Sequence, residues 1–232
     1  MKKCIGIISY LPDNEDRAKR KEAFRQEIIK LDQTLNLPII VVTQNYKEED
    51  KEIFSNNCIL FEYEKLGVTK ARKKLRKHLL ESTYDMFILF DDDELILSNN
   101  YATKFLDFID KHKDSCITYY LAYLRGFVIS RKILSQVPFA PIDAQKLEGW
   151  DDALYYFSVR KLFPKQCLEF NEEAKKDFVL DIEGSNRLYP SSWKEHMSWS
   201  CFNLIERNTL IERQNIENDP NYKIPEAWFE DE

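Results

Sequence analysis

Apolar residues in this chain fall into short unbroken runs, separated by segments with helical spacing. Cys4 to Leu11 is apolar and β-rich, and Pro12-Asp13-Asn14 breaks it, which predicts a first strand and its exit loop. From Glu15 to Leu31 the apolar positions Ala23, Phe24, Ile28 and Leu31 recur at helical spacing among many charges. That is an amphipathic helix, with Asp13 or Asn14 available as its cap and Asp16 supporting its first turn. Pro38 to Thr43 is a second strand, Lys47 to Phe54 a charged helix, and Cys58 to Tyr63 a third strand. Gly67 opens a further helix through Val68, Ala71, Leu75 and Leu79. Met86 to Phe90 is wholly apolar and reads as a strand buried on both faces. Strands alternating with helices in this order predict parallel strands joined by right-handed crossovers, a nucleotide-binding type of α/β sheet.

After Glu94 the pattern changes. Asn99 or Asn100 can cap a helix carrying Phe105, Leu106, Phe108 and Ile109. Ile117 to Leu124 and Gly126 to Ile129 read as strands, Arg131 to Val137 as helix, and Pro138 and Pro141 bracket a loop. Glu148-Gly149-Trp150-Asp151-Asp152 leads into an aromatic helix, Ala153 to Leu162, capped by one of its two acids. Lys165 to Phe170 and Phe178 to Ile182 are further expected strands, and Gly184 to Trp193 is polar and irregular. No linker or low-complexity run divides the chain. It reads as a single domain, with a donor half (1–97) and an acceptor half (98–232).

Composition narrows the function classes. Lys plus Arg is 34 against 40 for Asp plus Glu, a net charge of −6, which argues against nucleic-acid binding. Five cysteines, odd in number and with no Cys-x-x-Cys pair, support neither a zinc knuckle nor a disulfide framework and point to a reducing, cytoplasmic setting. The apolar run before Pro12 is too short for a signal peptide or a membrane span. With only five glycines, glycine-rich phosphate loops are excluded. The cluster Lys70, Arg72, Lys73, Lys74, Arg76 and Lys77 reads first as a solvated helix face opposite Ala71, Leu75 and Leu79. At most it gives peripheral contact with anionic lipid or a lipid-diphosphate acceptor.

The chemistry concentrates where the fourth strand ends, in Asp91-Asp92-Asp93-Glu94. Four carboxylates at the lip of a hydrophobic strand repel one another unless positive charge sits among them, and hard oxygen ligands suit Mg²⁺ or Mn²⁺. The carboxyl ends of strands in open α/β sheets are also where ligands bind. A Walker B strand would need a Gly-x-x-x-x-Gly-Lys loop upstream, and none exists. Haloacid-type phosphatases carry their Asp-x-Asp after the first strand. A sugar nucleotidyltransferase would show a glycine-rich loop where Tyr10-Leu11-Pro12-Asp13-Asn14 stands.

Asp91-Asp92-Asp93 resembles the Asp-x-Asp motif of family 2 glycosyltransferases of the GT-A fold. Leu66-Gly67-Val68-Thr69-Lys70-Ala71-Arg72 is similar to the family's Gly-x-x-x-Ala-Arg-Asn segment, with Lys73 in place of Asn. Gly149-Trp150-Asp151-Asp152 resembles the Gly-Trp…Glu-Asp element whose Asp is the catalytic base of inverting members. The layout of Pro38 to Gln44 and of Tyr84 to Leu97 is also similar to β-1,4-galactosyltransferases. The likeness spans roughly residues 4 to 160.

That resemblance implies a Rossmann-like nucleotide-diphospho-sugar transferase with a mostly parallel central sheet flanked by helices. It implies a nucleotide-diphosphate sugar donor, UDP-sugar first, and Mn²⁺ or Mg²⁺ between its phosphates. Asp93 coordinates the metal, Asp91 reaches the ribose or the metal shell, and Asp92 adjoins them. The acceptor is a carbohydrate hydroxyl, on a glycan, glycolipid or glycoprotein, with Asp152 as base and Asp151 as the second choice. A late His196 is a candidate metal ligand or, beside Trp193 and Trp199, a core residue. Pro12, Asp13, Gln44 and Arg72 are expected at the donor, Arg187 and Lys194 as a clamp on its diphosphate, and Trp150 and Trp193 at the acceptor. The family's Asp at the end of the second strand is replaced by Thr43-Gln44-Asn45. His78 and His112 are expected in solvent. Two other classes remain, a non-catalytic nucleotide-sugar-binding module and a metal-dependent phosphohydrolase or nuclease. The chain is either a stand-alone enzyme or a domain of a larger multi-enzyme polypeptide.

Overall fold

The computed structural model describes residues 1–92, 94–96, 99–118, 127–139, 151–170, 179–181, 211 and 213–229. The first half follows the expected alternation: β1 (Lys3–Tyr10), α1 (Arg17–Thr34), β2 (Ile39–Gln44), a 3-10 helix (Glu48–Ile53), β3 (Cys58–Tyr63), α2 (Val68–Glu81) and β4 (Met86–Phe90). Then come β5 (Glu94–Ile96), α3 (Asn99–Lys111), β6 (Cys116–Thr118), β7 (Phe127–Ser130), α4 (Arg131–Gln136), α5 (Asp151–Leu162), β8 (Cys167–Glu169) and β9 (Val179–Asp181). The main sheet has seven strands in the order β3-β2-β1-β4-β7-β6-β8, and β5 pairs with β9 in a separate ribbon. β7 runs antiparallel to both its neighbours, whereas the other pairs in the sheet are parallel.

Alternation along the strands sorts the core into two layers. Ile5, Ile7, Val41, Ile88 and Phe90 face α1 and α3 on one side. Cys4, Val42, Phe87, Leu89, Phe127 and Ile129 face α2, α4 and α5 on the other. Gly6 sits where α2 crosses β1, and a Cβ there would lie 3.0 Å from Leu89 Cδ2 and 3.2 Å from Leu79 Cδ1, so a larger residue would make these leucines shift.

Several sequence expectations shift. Glu94 is not part of the acidic strand end; it opens β5, paired in register with Asp181 of β9. The charged segment after β2 is 3-10 rather than α-helical. α5 starts at Asp151, so both acids lie inside its first turn rather than before it. Three of the six basic residues of α2 leave the solvated face: Arg72, Lys73 and Arg76 are 8 %, 4 % and 2 % exposed, whereas Lys70 is exposed. Arg76 donates to the Leu134 and Ser135 carbonyls near the end of α4. Arg131, at the start of α4, donates in turn to the Leu79, Leu80 and Ser82 carbonyls at the end of α2. Each helix thus satisfies the other's orphan carbonyls through a guanidinium, which is also the favoured charge at a helix C-terminus. Among the described residues no helix is long and apolar enough to cross a membrane.

His78 is not solvated either. Its ring stacks on Phe61 at 3.5 Å between centroids, and its Nε2 lies 2.8 Å from the Tyr63 hydroxyl. Burial holds its pKa below the ordinary value of 6.5, against the opposing pull of Glu81. A base depressed in this way contributes stability that is complete above the unfolded value and fades as pH falls below it. Urea midpoints should therefore drop between pH 7 and pH 5.5 in the wild type, and the drop should be smaller in His78→Gln.

Candidate active site

The strand order reverses between β1 and β4, because the chain leaves β1 for β2 on one side and returns from β3 to β4 on the other. Such a switch point leaves a crevice outside the carboxyl ends of the two strands. Here it is a small pocket open to solvent, whose lining includes Gly6 and Ile8 of β1, Leu89 and Asp91 of β4 and its exit, Arg72 of α2 and Phe139.

Alternation decides what each aspartate does. Asp91 continues the Phe87–Leu89 face, on the α2 side. Its carboxylate is 36 % exposed and lies 3.6 Å from Arg72 Nη2. Asp92 continues the Ile88–Phe90 face and points under α1, where Arg20 Nη2 donates to its Oδ1 at 2.5 Å. Its Oδ2 accepts from Ser9 Oγ at 2.6 Å and from the Tyr10 N–H at 3.3 Å. Ser9 Oγ lies 2.6 Å from the Tyr46 hydroxyl. Since the single Ser9 proton goes to Asp92, Tyr46 is the donor in that contact. Burial, then the Asp92 charge, pushes the Tyr46 phenol well above its ordinary pKa, so it keeps the proton it donates.

The positive charge that the sequence demanded beside these acids is thus, for Asp92, a guanidinium. Asp92, expected at the donor, ties the end of β4 to β1 and α1. Arg20 was missed because it is charged, yet it lies on the same periodic stripe as Ala23, Phe24, Ile28 and Leu31, and Glu27 does as well. That periodicity was the available signal.

Gln44, likewise expected at the donor, is buried at the end of β2. Its side-chain oxygen accepts from the Leu66 and Gly67 N–H groups, both at 3.0 Å, and so fixes the turn into α2. Gly67 has φ +82°, a left-handed conformation that favours glycine. Pro12 and Asp13 lie in the loop after β1. The Pro12 carbonyl and the Asp13 carboxylate both face Arg17, at 3.2 and 3.4 Å. Arg17 also holds the Asn45 carbonyl at 2.9 Å and pairs with Asp50, joining the ends of β1 and β2 to the 3-10 helix. Burial alone would raise the Asp50 pKa; the Arg17 and Lys47 hydrogen bonds outweigh it and hold it below the usual value.

α5 reaches this crevice through aromatic rings. Phe139, in the pocket wall, stacks on Tyr155 at 4.3 Å between centroids, and Tyr155 meets Phe127 edge-on at 6.1 Å. Tyr155 is fully buried, and Asp151 and Asp152 precede it by one helical turn. The far side of α5 is braced by the C-terminal segment. Ile216 packs with Leu154 and Phe157, and the Tyr222 hydroxyl lies 2.9 Å from Ser158 Oγ. Asp93, Trp150, Arg187, Trp193, Lys194 and His196 lie outside the described residues, as do the side chains of Asp151 and Asp152. Among the described residues no cluster of three or more His, Cys, Asp or Glu side chains forms a metal site. Among the described residues, Asp91 supplies the carboxylate of the pocket wall, a hard oxygen donor of the kind Mn²⁺ and Mg²⁺ take.

The sequence matches no protein-family model and no curated protein. Solved structures do resemble it. Residues 1–349 of Staphylococcus aureus TarS superpose with a TM-score of 0.59 at 13 % identity, over 98 % of this chain and 68 % of that one. Against a longer TarS structure the chain spans 44 % of the length. Glucosyl-3-phosphoglycerate synthase from Mycobacterium tuberculosis, in complex with Mn²⁺, UDP and glucosyl-3-phosphoglycerate, gives 0.58 at 11 % identity, covering 95 % of this chain and 81 % of the synthase. A cytidylyltransferase from Leptospira borgpetersenii gives 0.57 at 14 % identity, over 96 % and 99 %. The chain has the GT-A fold of nucleotide-diphospho-sugar transferases, a mostly parallel sheet flanked by helices.

The two described aspartates should differ in how much stability they carry. Asp92→Ala removes a buried carboxylate held by Arg20, Ser9 and the Tyr10 N–H and should cost about 3–5 kcal/mol in urea unfolding. The pair Arg20→Met with Asp92→Leu should recover much of that loss. Asp91→Ala, at a partly exposed site 3.6 Å from Arg72 Nη2, should cost about 1 kcal/mol, clearly less than Asp92→Ala.

Proposed function

We propose that this protein is a metal-dependent glycosyltransferase that moves a sugar from a nucleotide-diphosphate sugar to a hydroxyl acceptor with inversion. The observation that carries the reading is the placement of Asp91. Its partly exposed carboxylate stands in the switch-point pocket beside a buried arginine, and one ring contact separates that pocket from the helix that begins with Asp151 and Asp152. The neighbours of known structure support it: the synthase binds Mn²⁺ and UDP on the same fold.

In this reading Asp91 and Asp93 hold the cation, with His196 as a further ligand. A divalent ion so held neutralises charge on the departing diphosphate. Arg72 lies close enough to Asp91 to orient it and to meet a phosphate oxygen, and Arg187 and Lys194 close over the diphosphate. Trp150 and Trp193 present ring faces to the acceptor sugar. Asp152 takes the proton of the attacking hydroxyl, with Asp151 as second choice. Since that hydroxyl is a very weak acid, a carboxylate within hydrogen-bond reach contributes about 10²–10⁴-fold. Asp92 touches none of the reacting groups; it keeps the acidic turn in place. UDP is the first nucleotide to test, with Mn²⁺ the first metal.

The loop after β1 separates this reading from nucleotidyl transfer. It holds Leu11, Pro12 and Asp13 against α1 through Arg17 instead of a glycine-rich cradle.

Thermal shift against UDP-, GDP- and dTDP-sugars, with and without Mn²⁺, should show a metal-dependent rise with one nucleotide. Asp91→Ala should abolish the rise. Asp152→Asn should retain it while donor turnover falls about 10²–10⁴-fold. Full turnover in both variants overturns the mechanism. Pyrophosphate release from a nucleoside triphosphate and a sugar phosphate would identify a nucleotidyltransferase, and cleavage of phosphate esters that carry no sugar a hydrolase. A shift without turnover in any donor and acceptor combination would identify a binding module.

A further inference from the structure

The geometry points to Cys116 and Cys167 as a thiol pair that closes reversibly to a disulfide between β6 and β8, independently of the glycosyltransferase reading. The two residues are direct partners in the parallel register of these strands. Neighbouring strands lie about 4.8 Å apart, and registered partners project to the same face of the sheet. That spacing falls inside the range of about 4.4–6.8 Å between Cα atoms that a disulfide spans. Both side chains pack into the same apolar layer, on the side of α2 and α5.

Their environments assign different roles. β8 ends the sheet, and Cys167 there is half-buried, whereas Cys116, one strand inside, is fully buried. Only Cys167 is therefore open to a reagent in solvent. A hydrogen bond from the Cys116 thiol lowers the Cys167 pKa, against the effect of burial, and the Arg160 guanidinium of α5 lowers it further. Burial raises Cys4, Cys58 and Cys116 instead. The thiolate is the attacking form, so Cys167 starts the exchange. Its sulfur attacks one sulfur of a small-molecule disulfide and expels one thiolate, leaving a mixed disulfide. The Cys116 thiol then attacks the Cys167 sulfur and expels the second thiolate, which takes up the Cys116 proton as it leaves. Two protein thiols are oxidised and the reagent is reduced to two thiols.

The bond would link the edge strand to the interior and close a chain segment that includes β7, α4 and α5. In a reducing compartment the pair stays as thiols; an oxidising challenge closes it.

The test uses the folded full chain with excess oxidised glutathione. Titratable thiols should fall from five to three. Non-reducing peptide mapping should join the Cys116 and Cys167 peptides, and the thermal midpoint should rise, all reversed by dithiothreitol. Cys116→Ser should stop at the mixed disulfide on Cys167, and Cys167→Ser should remain unmodified at Cys116, whereas Cys58→Ser should behave as the wild type. Both serine variants are checked for native melting first. If either is unfolded, the wild-type peptide map decides. An unchanged thiol count in the folded wild type overturns the inference, as does a mixed disulfide at Cys167 that never closes, or a bond to any other cysteine.

Discussion

The contact between Arg20 and Asp92 is the constraint on which the candidate site depends. A carboxylate this deep is tolerated only if its charge is met and its lone pairs are filled. Arg20 meets the charge, and Ser9 and the Tyr10 N–H fill the second oxygen. Those partners belong to α1 and to the last two residues of β1, so the same contact that satisfies Asp92 also sets where β4 ends relative to β1. Tyr46 extends the network to the end of β2. With Asp92 held by α1 and β1, its neighbour Asp91 stands on the opposite face.

Two features of the sheet bring reactive groups to that face. The first is the switch in strand order, which opens a crevice at β1 and β4 and nowhere else in the parallel run β3-β2-β1-β4. The second is the antiparallel strand β7, which follows β4 in the sheet and leads through α4 to Phe139. Phe139 then joins the crevice to Tyr155 of α5. Polar ties between α2 and α4, through Arg76 and Arg131, keep this second half in register with the first. A helix that starts with two acids is thereby brought close to a strand that ends in acids.

At 10–14 % identity the relatives of known structure share little sequence with this chain, and the superposition speaks for the fold. Different chemistries use that fold: a glucosyl-phosphoglycerate synthase and a cytidylyltransferase both superpose on it. Function therefore rests on the site. Here its described part consists of a partly exposed acid, Asp91, a buried arginine, Arg72, and the stacked rings of Phe139 and Tyr155.

Sequence alone determined the layers. Uninterrupted apolar runs such as Ile39 to Val42 and Met86 to Phe90 can only be strands covered on both faces, and the helical spacing of Ala23, Phe24, Ile28 and Leu31 fixes which side of α1 is inward. The strand end at Asp91 was legible for the same reason, since a sheet buried on both faces stops where charge begins. Tertiary structure decided which charges belong to solvent, to the core or to the pocket. Periodicity puts Arg20 on the inward stripe of α1, but no local pattern names the distant partners that Arg20, Arg72 and Arg76 meet. These arginines become buried once Asp92, Asp91 and the carbonyls of α4 lie within reach. Likewise three consecutive aspartates look equivalent in a string. Only the pleat, with α1 on one side and α2 on the other, separates an aspartate that holds the fold together from one that faces the pocket.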